Sequence, residues 1–469
     1  KSGDHRLTTG IPSLDTILQG GLIPGSVTVI AGPPGSGKTI LSHQIGFHLA
    51  SPKFKVIYFQ TLSEPTAKRL RFLKDFKYFD ADKLDSEVSF IDLGEPLRTE
   101  GIDTVLERLM EHVREIKPAL VVIDSFKVFG DFASSAERYR KFSYEVVVQL
   151  MVWECTVVLL GEFAEHEIGQ TPLFSVIDGI IMAKQEFISG EQKRIIQVIK
   201  MRGTDHSREA HCFKINDLGI QIFTPEFSFL RNPSVDEKSR KQKRCQVGIA
   251  KIDKLLGGGI PHGSSVLVAG VAGTGKTIAL LEFLYRGASE LESKGLFFSF
   301  EESAERLTAV GQALGWDIEN ELKRGMLKIV YIPQVLIRVE EHISYIQKEI
   351  ETFGAARVAI DSLSVFLDKI ESPQIVRDKV SQLTNIIQAA GAVGFFSTSI
   401  PYGMMGISRF GVEETVVDGV ILLSTIIKGS TRERYLEIYK LRNAAHALGQ
   451  HKMKIDKGGI KITPKKSRS

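Results

Sequence analysis

The chain has 469 residues, of which 43% are hydrophobic and 25% are charged. This length and composition are typical of a globular protein with two domains, each long enough to bury its own core. The net charge of +4 is small beside 60 basic and 56 acidic residues, so bulk charge requires neither nucleic acid nor an anionic membrane as a partner.

The cysteines and the apolar runs indicate in which cellular compartment the protein is expected. Cys155, Cys212 and Cys245 are widely spaced and form no CxxC pair, which indicates neither a disulfide framework nor a zinc site. The N-terminal stretch KSGDHRLTTG lacks the apolar core of a signal peptide, and the longest apolar runs are too short to cross a bilayer. We therefore expect a cytoplasmic protein that does not enter a membrane.

The first predicted elements are a strand, SVTVIAG, and a helix, ILSHQIGFHLA, with the loop GPPGSGKT between them. Further β-branched runs alternate with helical patterns along the chain. Such alternation predicts a mainly parallel sheet covered by helices on both faces. Ligands of these sheets bind beyond the carboxyl ends of the strands.

A polar stretch, RNPSVDEKSRKQKRC at 231–245, has no apolar period and holds the densest basic run in the chain. We interpret it as a linker between a first domain, 1–230, and a second, 246–469. Its cations could bind phosphates, but charge runs between domains are more often solvated connectors. The basic residues are Lys238, Arg240, Lys241, Lys243 and Arg244.

The second half of the chain repeats the first. Residues 9–39 align without a gap on residues 247–277. Later segments recur in the same order: LVVIDSFKVF with RVAIDSLSVF, VIDGIIM with VVDGVIL, and VIKMRGTDH with IYKLRNAAH. The period is far too long for a solenoid, so the repeat predicts two complete tandem domains.

Both copies contain the pattern G-x-x-x-x-G-K-[ST] between a predicted strand and a helix. Glycines in this loop let backbone N–H groups point at phosphates, the lysine reaches the β- and γ-phosphates, and the hydroxyl coordinates Mg²⁺. We predict nucleotide binding by Gly35, Ser36, Gly37, Lys38, Thr39, Gly273, Thr274, Gly275, Lys276 and Thr277.

Asp124 and Asp361 end the apolar strands ALVVID and RVAID. A carboxylate at the end of a buried strand usually belongs to the metal shell in P-loop folds. We therefore predict that these residues hold Mg²⁺ together with Thr39 and Thr277. The alternative is a carboxylate that only caps the strand end.

Together these motifs resemble the KaiC family of tandem RecA-like ATPases over nearly the whole chain. The resemblance rests on the lead-in TGI..LD..L.GG.P.G, on FEES at 300–303, on KMRGTDH at 200–206 and on INDLGIQIF at 215–223. It implies an α/β fold of two tandem RecA-like P-loop NTPase domains, each a mainly parallel sheet flanked by helices. It also implies a two-tiered homohexameric ring with ATP between adjacent subunits, and a possible clock or signalling protein as partner.

The resemblance further assigns catalysis to Glu301 and Glu302, with Glu302 also helping to hold Mg²⁺. A carboxylate can accept a proton from water or a hydroxyl, which an aliphatic group cannot do. In the first domain the corresponding segment, TLSEP, places Leu62 and Ser63 at these positions, and a one-residue slip would be needed to bring in Glu64. We expect the first site to bind nucleotide but to hydrolyse it slowly or not at all.

The motifs KMR and KLR each place two cations on one face of a predicted strand. By resemblance they contact the nucleotide bound to the neighbouring subunit, as arginine fingers do. The alternative is a surface ion pair on an edge strand. The residues predicted to act in trans are Lys200, Met201, Arg202, Thr204, His206, Lys440, Leu441 and Arg442.

The resemblance also implies a Ser-Thr phosphorylation pair before the strand DGVILL, where this chain has Glu414 and Thr415. Phosphate would add close to two negative charges, whereas glutamate has one and cannot be switched. We expect autophosphorylation in the second domain at Thr415 alone, without the two-site order of the family. A threonine without a special role is the alternative.

Two other functions are compatible with tandem RecA-like domains. A DNA-processing motor would be expected to show basic or aromatic loops for single strands, but the basic run here is confined to the linker, so we do not expect nucleic acid binding. DNA-stimulated ATP turnover would distinguish it. A nucleotide-gated scaffold would show negligible turnover in either domain.

Overall fold

The computed structural model describes residues 6–61, 66–169, 171, 173–188, 191–224, 244–401, 403 and 406–463. The chain divides into two compact units, Lys1–Thr224 and Pro225–Ser469. The predicted residues Leu62, Ser63 and Glu64 lie outside the described residues, as does the predicted linker up to residue 243.

The first unit alternates strands and helices before it ends in a run of strands. Its elements are α1 Pro12–Ile17, β1 Val27–Ala31, α2 Lys38–Leu49, β2 Val56–Gln60, α3 Thr66–Leu73, β3 Val88–Asp92, α4 Gly94–Thr99, α5 Gly101–Ile116, β4 Leu120–Asp124, α6 Ala136–Val152, β5 Thr156–Gly161, α7 Leu173–Val176, β6 Gly179–Ile188, β7 Glu191–Met201, β8 Ala210–Asn216 and β9 Gly219–Ile222.

The second unit repeats this order. Its elements are β10 Arg244–Cys245, α8 Ala250–Leu255, β11 Ile260–Pro261, β12 Ser265–Gly270, α9 Lys276–Glu290, β13 Gly295–Ser299, α10 Ala304–Ala313, α11 Ile318–Lys323, β14 Leu327–Tyr331, α12 Val339–Phe353, β15 Arg357–Asp361, α13 Leu363–Phe366, α14 Pro373–Ala390, β16 Val393–Ser399, α15 Glu413–Val416, β17 Gly419–Lys428, β18 Thr431–Leu441, β19 Gln450–Asp456 and β20 Gly459–Ile462. Among the described helices, none combines the length and apolarity that crossing a bilayer requires.

Each unit is built on one nine-stranded sheet. The strand orders are β3-β2-β4-β5-β1-β6-β7-β8-β9 and β14-β13-β15-β16-β12-β17-β18-β19-β20. The first six strands in each order pair in parallel, and the last three add antiparallel hairpins. The predicted fold class, two tandem α/β domains of RecA-like type, is confirmed.

Helices cover both faces of each sheet because the central strands are apolar on both sides. On β1, Val27 and Val29 pack against the layer that contains α5 and α6, and Ile30 faces the layer that contains α1 and α2. The alternation follows the period of two in a pleated strand. Burial on both faces explains why the central strands read as continuous hydrophobic runs rather than alternating ones.

The last two residues of the predicted linker have a defined structure. Arg244 and Cys245 form β10, which pairs with Ile260 and Pro261. The Arg244 guanidinium also donates to the carbonyl oxygens of Leu256 and Gly259, at 3.3 and 3.0 Å. These contacts attach Arg244 to the start of the second unit.

A buried polar side chain attaches the last hairpin of each unit to the helix that follows the phosphate loop. In the first unit Gln44 Oε1 accepts the N–H of Ile220 at 2.7 Å, and in the second Glu282 Oε2 accepts the N–H of Ile460 at 2.7 Å. The side chain meets its hairpin at a glycine, where a Cβ atom on Gly459 would lie 2.4 Å from the Glu282 carboxylate. Burial raises the pKa of Glu282 to about 7.

We expect Glu282→Gln to stabilise the second unit in a pH-dependent way. Between a pH of about 4.5 and about 7 the unfolded chain loses this proton while the folded chain keeps it, so stability falls as pH rises. The substitution removes that loss, because Gln44 shows that an amide makes the same backbone hydrogen bond. The gain should be near zero at the acidic end and reach at most about 3 kcal/mol above neutral pH.

Urea denaturation of parent and variant across this pH range measures the effect. The reciprocal variant, Gln44→Glu, serves as the matched comparison and should add a pH-dependent loss to the first unit. A stability difference between Glu282→Gln and the parent that is the same at every pH would contradict the assignment.

Candidate functional site

The two phosphate loops lie at the carboxyl edges of their sheets. Residues 32–37 connect β1 to α2, and residues 271–275 connect β12 to α9, so the lysine and threonine of each motif open the helix. Gly37 and Gly275 have φ of 95° and 103°, values that favour glycine. The backbone turns sharply there and the helix begins, which directs the first N–H groups of the helix toward an anion.

The loop lysine is folded back over its own loop in both units. Lys38 Nζ donates to the carbonyl oxygens of Gly32 and Pro33, both at 2.8 Å. Lys276 Nζ donates to Gly270 at 2.9 Å and to the carbonyl of residue 271 at 3.2 Å. Burial lowers the pKa of both amines, and neighbouring carboxylates oppose that shift.

The small side chains inside each loop are buried. Ser36 and Thr274 are both inaccessible to solvent, and the Thr274 hydroxyl donates to the carbonyl oxygen of Val271 at 2.9 Å. Gly35 O accepts a hydrogen bond from Gln185 at 3.0 Å, which ties the first loop to β6. Gly273 O accepts one from Arg434 at 3.3 Å, which ties the second loop to β18.

The structure brings each predicted metal-binding pair together. Thr39 Oγ1 donates to Asp124 Oδ2 at 3.0 Å. In the second unit the Thr277 hydroxyl interacts with Asp361 and opposes the rise of its pKa. A hydroxyl beside a carboxylate is a hard oxygen donor set, which fits Mg²⁺.

Carboxylates crowd around the loop lysine of the second unit. Burial raises the pKa of Asp361, and partial desolvation together with the charge of Asp361 raises the pKa of Glu301. Hydrogen bonds from Ser362 to Glu301 and from Ser397 to Asp361 oppose these shifts, as does the nearby Lys276 ammonium. A carboxylate with a raised pKa beside the phosphate loop is placed to accept a proton.

Glu302 follows β13, which pairs with the strand that ends at Asp361. The Glu302 N–H donates to Ser299 Oγ at 3.0 Å. The Phe300 N–H donates to the carbonyl oxygen of Asp361 at 2.7 Å, and in the first unit the Thr61 N–H donates to Asp124 O at 2.9 Å. Thr61 and Phe300 therefore occupy equivalent positions at the ends of β2 and β13.

The two cations at the end of β7 bind carbonyl oxygens of their own unit. Lys200 Nζ donates to Ile177 O at 2.8 Å and to Phe174 O at 3.1 Å. Arg202 Nη2 donates to Ser175 O at 3.1 Å. Both cations thus bind the end of the short helix α7, where unpaired carbonyls attract positive charge.

The cations of the second unit make the same contacts. Lys440 Nζ donates to Glu414 O at 2.8 Å and to Val417 O at 2.7 Å, and Arg442 Nη2 donates to Thr415 O at 2.8 Å. Burial lowers the pKa of Lys440, and the Arg442 charge lowers it further. The predicted phosphoacceptor segment and the predicted trans cations are therefore in direct contact within one unit.

The other residues predicted to act in trans differ in exposure. The side chains of Met201 and Leu441 are buried in the core of their own units. Thr204 Oγ1 accepts a hydrogen bond from Arg6 at 2.8 Å, and His206 Nδ1 lies 3.3 Å from Thr204 O.

Thr415 lies in the short helix α15, beside a buried carboxylate. Its hydroxyl is exposed and donates to the carbonyl oxygen of Val412 at 2.6 Å. The fully buried Glu413 accepts a hydrogen bond from Ser408 Oγ at 2.6 Å, and Ser408 also contacts the Glu414 carboxylate. Glu413 and Ser408 thus fix the loop before Thr415.

Ser362 and Ser397 contact Glu301 and Asp361 respectively, and we did not predict them from the sequence. For Ser362 a signal existed, because both copies continue their strand-end aspartate with serine, as IDS at 123–125 and 360–362. For Ser397 there was none, since it reaches Asp361 only through the pairing of β15 with β16.

Known proteins resemble this chain over nearly its whole length. The family model for the KaiC ATPase matches residues 7–226 and 245–467. The circadian clock protein KaiC3 of Synechocystis sp. is 28% identical, covering 98% of this chain and 92% of that protein. The circadian clock oscillator proteins KaiC of a Picosynechococcus sp. and of Parathermosynechococcus lividus are 26% and 28% identical, covering 98% of this chain and 90% and 86% of theirs. The chain belongs to the KaiC family of ATPases.

Proposed function

We propose that the chain is a Mg²⁺-dependent ATPase that assembles as a two-tiered homohexamer, with hydrolysis in the second unit. The observation that carries the proposal is the arrangement of Glu301, Asp361 and Lys276 around the second phosphate loop. The relatives are named as circadian clock proteins, which supports a role in clock- or stress-type signalling with a protein partner.

In this mechanism Glu301 accepts the proton of the water that attacks the γ-phosphate. Its raised pKa keeps the carboxylate basic enough to take that proton. Lys276 and the N–H groups of the loop bind the phosphate oxygens, on which charge accumulates. Mg²⁺ held by Thr277, Asp361 and Glu302 would neutralise phosphate charge when bound.

We propose that the first unit also binds nucleotide through its phosphate loop. Lys38 would bind the phosphates, and Thr39 and Asp124 would hold Mg²⁺. A nucleotide held between subunits stabilises the assembly by mass action. Arg202 and Arg442 are the side chains we propose to reach a neighbouring subunit's nucleotide, since both guanidinium groups are exposed.

Replacing both glutamates, Glu301→Gln with Glu302→Gln, should lower ATP turnover in the second unit about 100-fold or more, because glutamine cannot accept the proton. The measurement is phosphate release by chains that also carry Lys38→Ala, which disables the first loop. Nucleotide binding by the second unit should persist.

Glu305→Gln is the matched control, since Glu305 is an exposed glutamate in the first turn of α10. It should leave turnover at the level of the Lys38→Ala parent. Full turnover without Glu301 and Glu302 would refute the proposed hydrolysis site.

Mixing two inactive variants tests whether Arg442 acts across subunits. Charge reversal, Arg442→Glu, should lower turnover in the second unit by about tenfold or more, because the cation would stabilise phosphoryl-transfer charge. Mixed rings that combine it with the Glu301→Gln and Glu302→Gln chain should regain turnover at interfaces where both partners are intact.

Arg432→Glu, on the same strand β18, is the control for charge alone and should have little effect. Mixtures that stay inactive, although sedimentation shows mixed rings, would assign Arg442 to a role within its own unit.

We also propose that Thr415 is phosphorylated in the presence of ATP. Its exposed hydroxyl is bonded only to the Val412 carbonyl among the described residues, and that bond must break to free the acceptor. Mass spectrometry after incubation with ATP should find one phosphate at Thr415 in the parent and none in Thr415→Ala. A parent chain without phosphate at Thr415 would exclude this activity.

A further inference from the structure

A carboxylate that the sequence analysis did not single out lies at the first phosphate loop. Glu162 directly follows β5, which lies between β4 and β1 in the sheet. The strand register pairs Gly161 with Ala31 and Leu160 with Asp124. Glu162 therefore leaves the sheet at its carboxyl edge, between the phosphate loop and the predicted metal ligand.

The Glu162 side chain is exposed, and its negative charge acts on the lysine of the phosphate loop. Burial lowers the pKa of Lys38. The charges of Glu162 and Asp124 both oppose that shift, and the effect of Glu162 is the larger. Lys127 Nζ donates to the backbone oxygen of Glu162 at 2.8 Å and pairs with Glu167, also at 2.8 Å. The backbone of Glu162 is thus held in place, while its carboxylate has no hydrogen-bond partner within the described ranges.

The second unit has a different residue at this position. Its register pairs Ala269 with Thr398 and Gly270 with Ser399, so Ser399 corresponds to Glu162. In that unit two carboxylates act on the loop lysine through their charge. One is the strand-end aspartate, and the other is Glu301. Among the described residues, each unit therefore has one further carboxylate whose charge acts on its loop lysine, but the two come from different strands.

We infer that Glu162 is the catalytic carboxylate of the first unit and accepts a proton from the water that attacks the γ-phosphate of ATP. The water oxygen forms a bond to the γ-phosphorus, the bond from that phosphorus to the bridging oxygen breaks, and ADP leaves with the electron pair. The proton of the water passes to Glu162 and then to solvent. The inference rests on the proposed ATPase function and replaces the expectation of a first site without a working carboxylate.

The test uses the full-length chain in which Glu301→Gln and Glu302→Gln have disabled the second unit. This chain should retain measurable phosphate release, and adding Glu162→Gln should lower that release by about tenfold or more. Glu162→Asp should restore part of it, because the carboxylate is kept. Glu165→Gln, which alters an exposed glutamate of the same segment paired with Lys184, should change nothing.

The nucleotide bound to the protein gives a second readout. After incubation with ATP, the first unit should retain ADP in the background chain and uncleaved ATP in the Glu162→Gln chain, with similar total nucleotide. Loss of all bound nucleotide from Glu162→Gln, with Glu162→Asp equally empty, would make Glu162 a binding or folding residue and overturn the inference.

Two further outcomes overturn it. A background chain that releases no phosphate shows that the first unit does not hydrolyse ATP, which leaves the proposed function of the second unit intact. Phosphate release that is insensitive to Glu162→Gln, or equally sensitive to Glu165→Gln, assigns the first-unit chemistry elsewhere, with Glu64 as the next residue to replace. Failure of the proposed function itself is recognised separately, by full turnover of the chain with Lys38→Ala, Glu301→Gln and Glu302→Gln.

Discussion

The desolvated ammonium of the phosphate-loop lysine is the group around which each unit is organised. Lys38 and Lys276 are desolvated, which disfavours their charged form, and the loop carbonyls and nearby carboxylates offset that cost. A parallel sheet can place several such groups around one lysine, because it brings the carboxyl ends of several strands to one edge. The loop, the aspartate proposed to bind Mg²⁺ and the carboxylate proposed to accept a proton can therefore come from separate strands and still share one cation.

The two units share this fold but differ in the chemistry of individual side chains. Strand order, register and the loop-lysine contacts repeat almost exactly, yet the residue at one position is Gln44 in one unit and Glu282 in the other. At another position Glu162 corresponds to Ser399. Such exchanges alter proton affinity and charge without altering the backbone, so duplication of the domain has kept the fold and left the site free to vary.

Local features of the site were predictable from the sequence, and features that depend on strand order were not. The phosphate loops, the strand-end aspartates and the tandem repeat are each encoded in short contiguous segments, and the fold class follows from their alternation. Glu162 and Ser397 come close to the site only because β5 and β16 lie between strands that are distant in sequence. The contacts of Lys440 with α15 also escaped prediction, since a motif does not reveal which carbonyls its cations will meet.

The numbers of N–H donors on Lys440 and Arg442, the two cations at the end of β18, suit them to different roles. Lys440 has three donors, and two of them bind backbone carbonyls of its own unit at 2.8 and 2.7 Å, so moving it would remove these donors from the carbonyl oxygens of Glu414 and Val417. Arg442 has five donors, and its contacts with Val416 and Thr415, at 3.4 and 2.8 Å, use only two. The lysine is therefore suited to hold the helix, and the arginine can bind a phosphate while it still contacts Thr415. A nucleotide at a subunit interface would thus meet the Thr415 segment through one shared side chain.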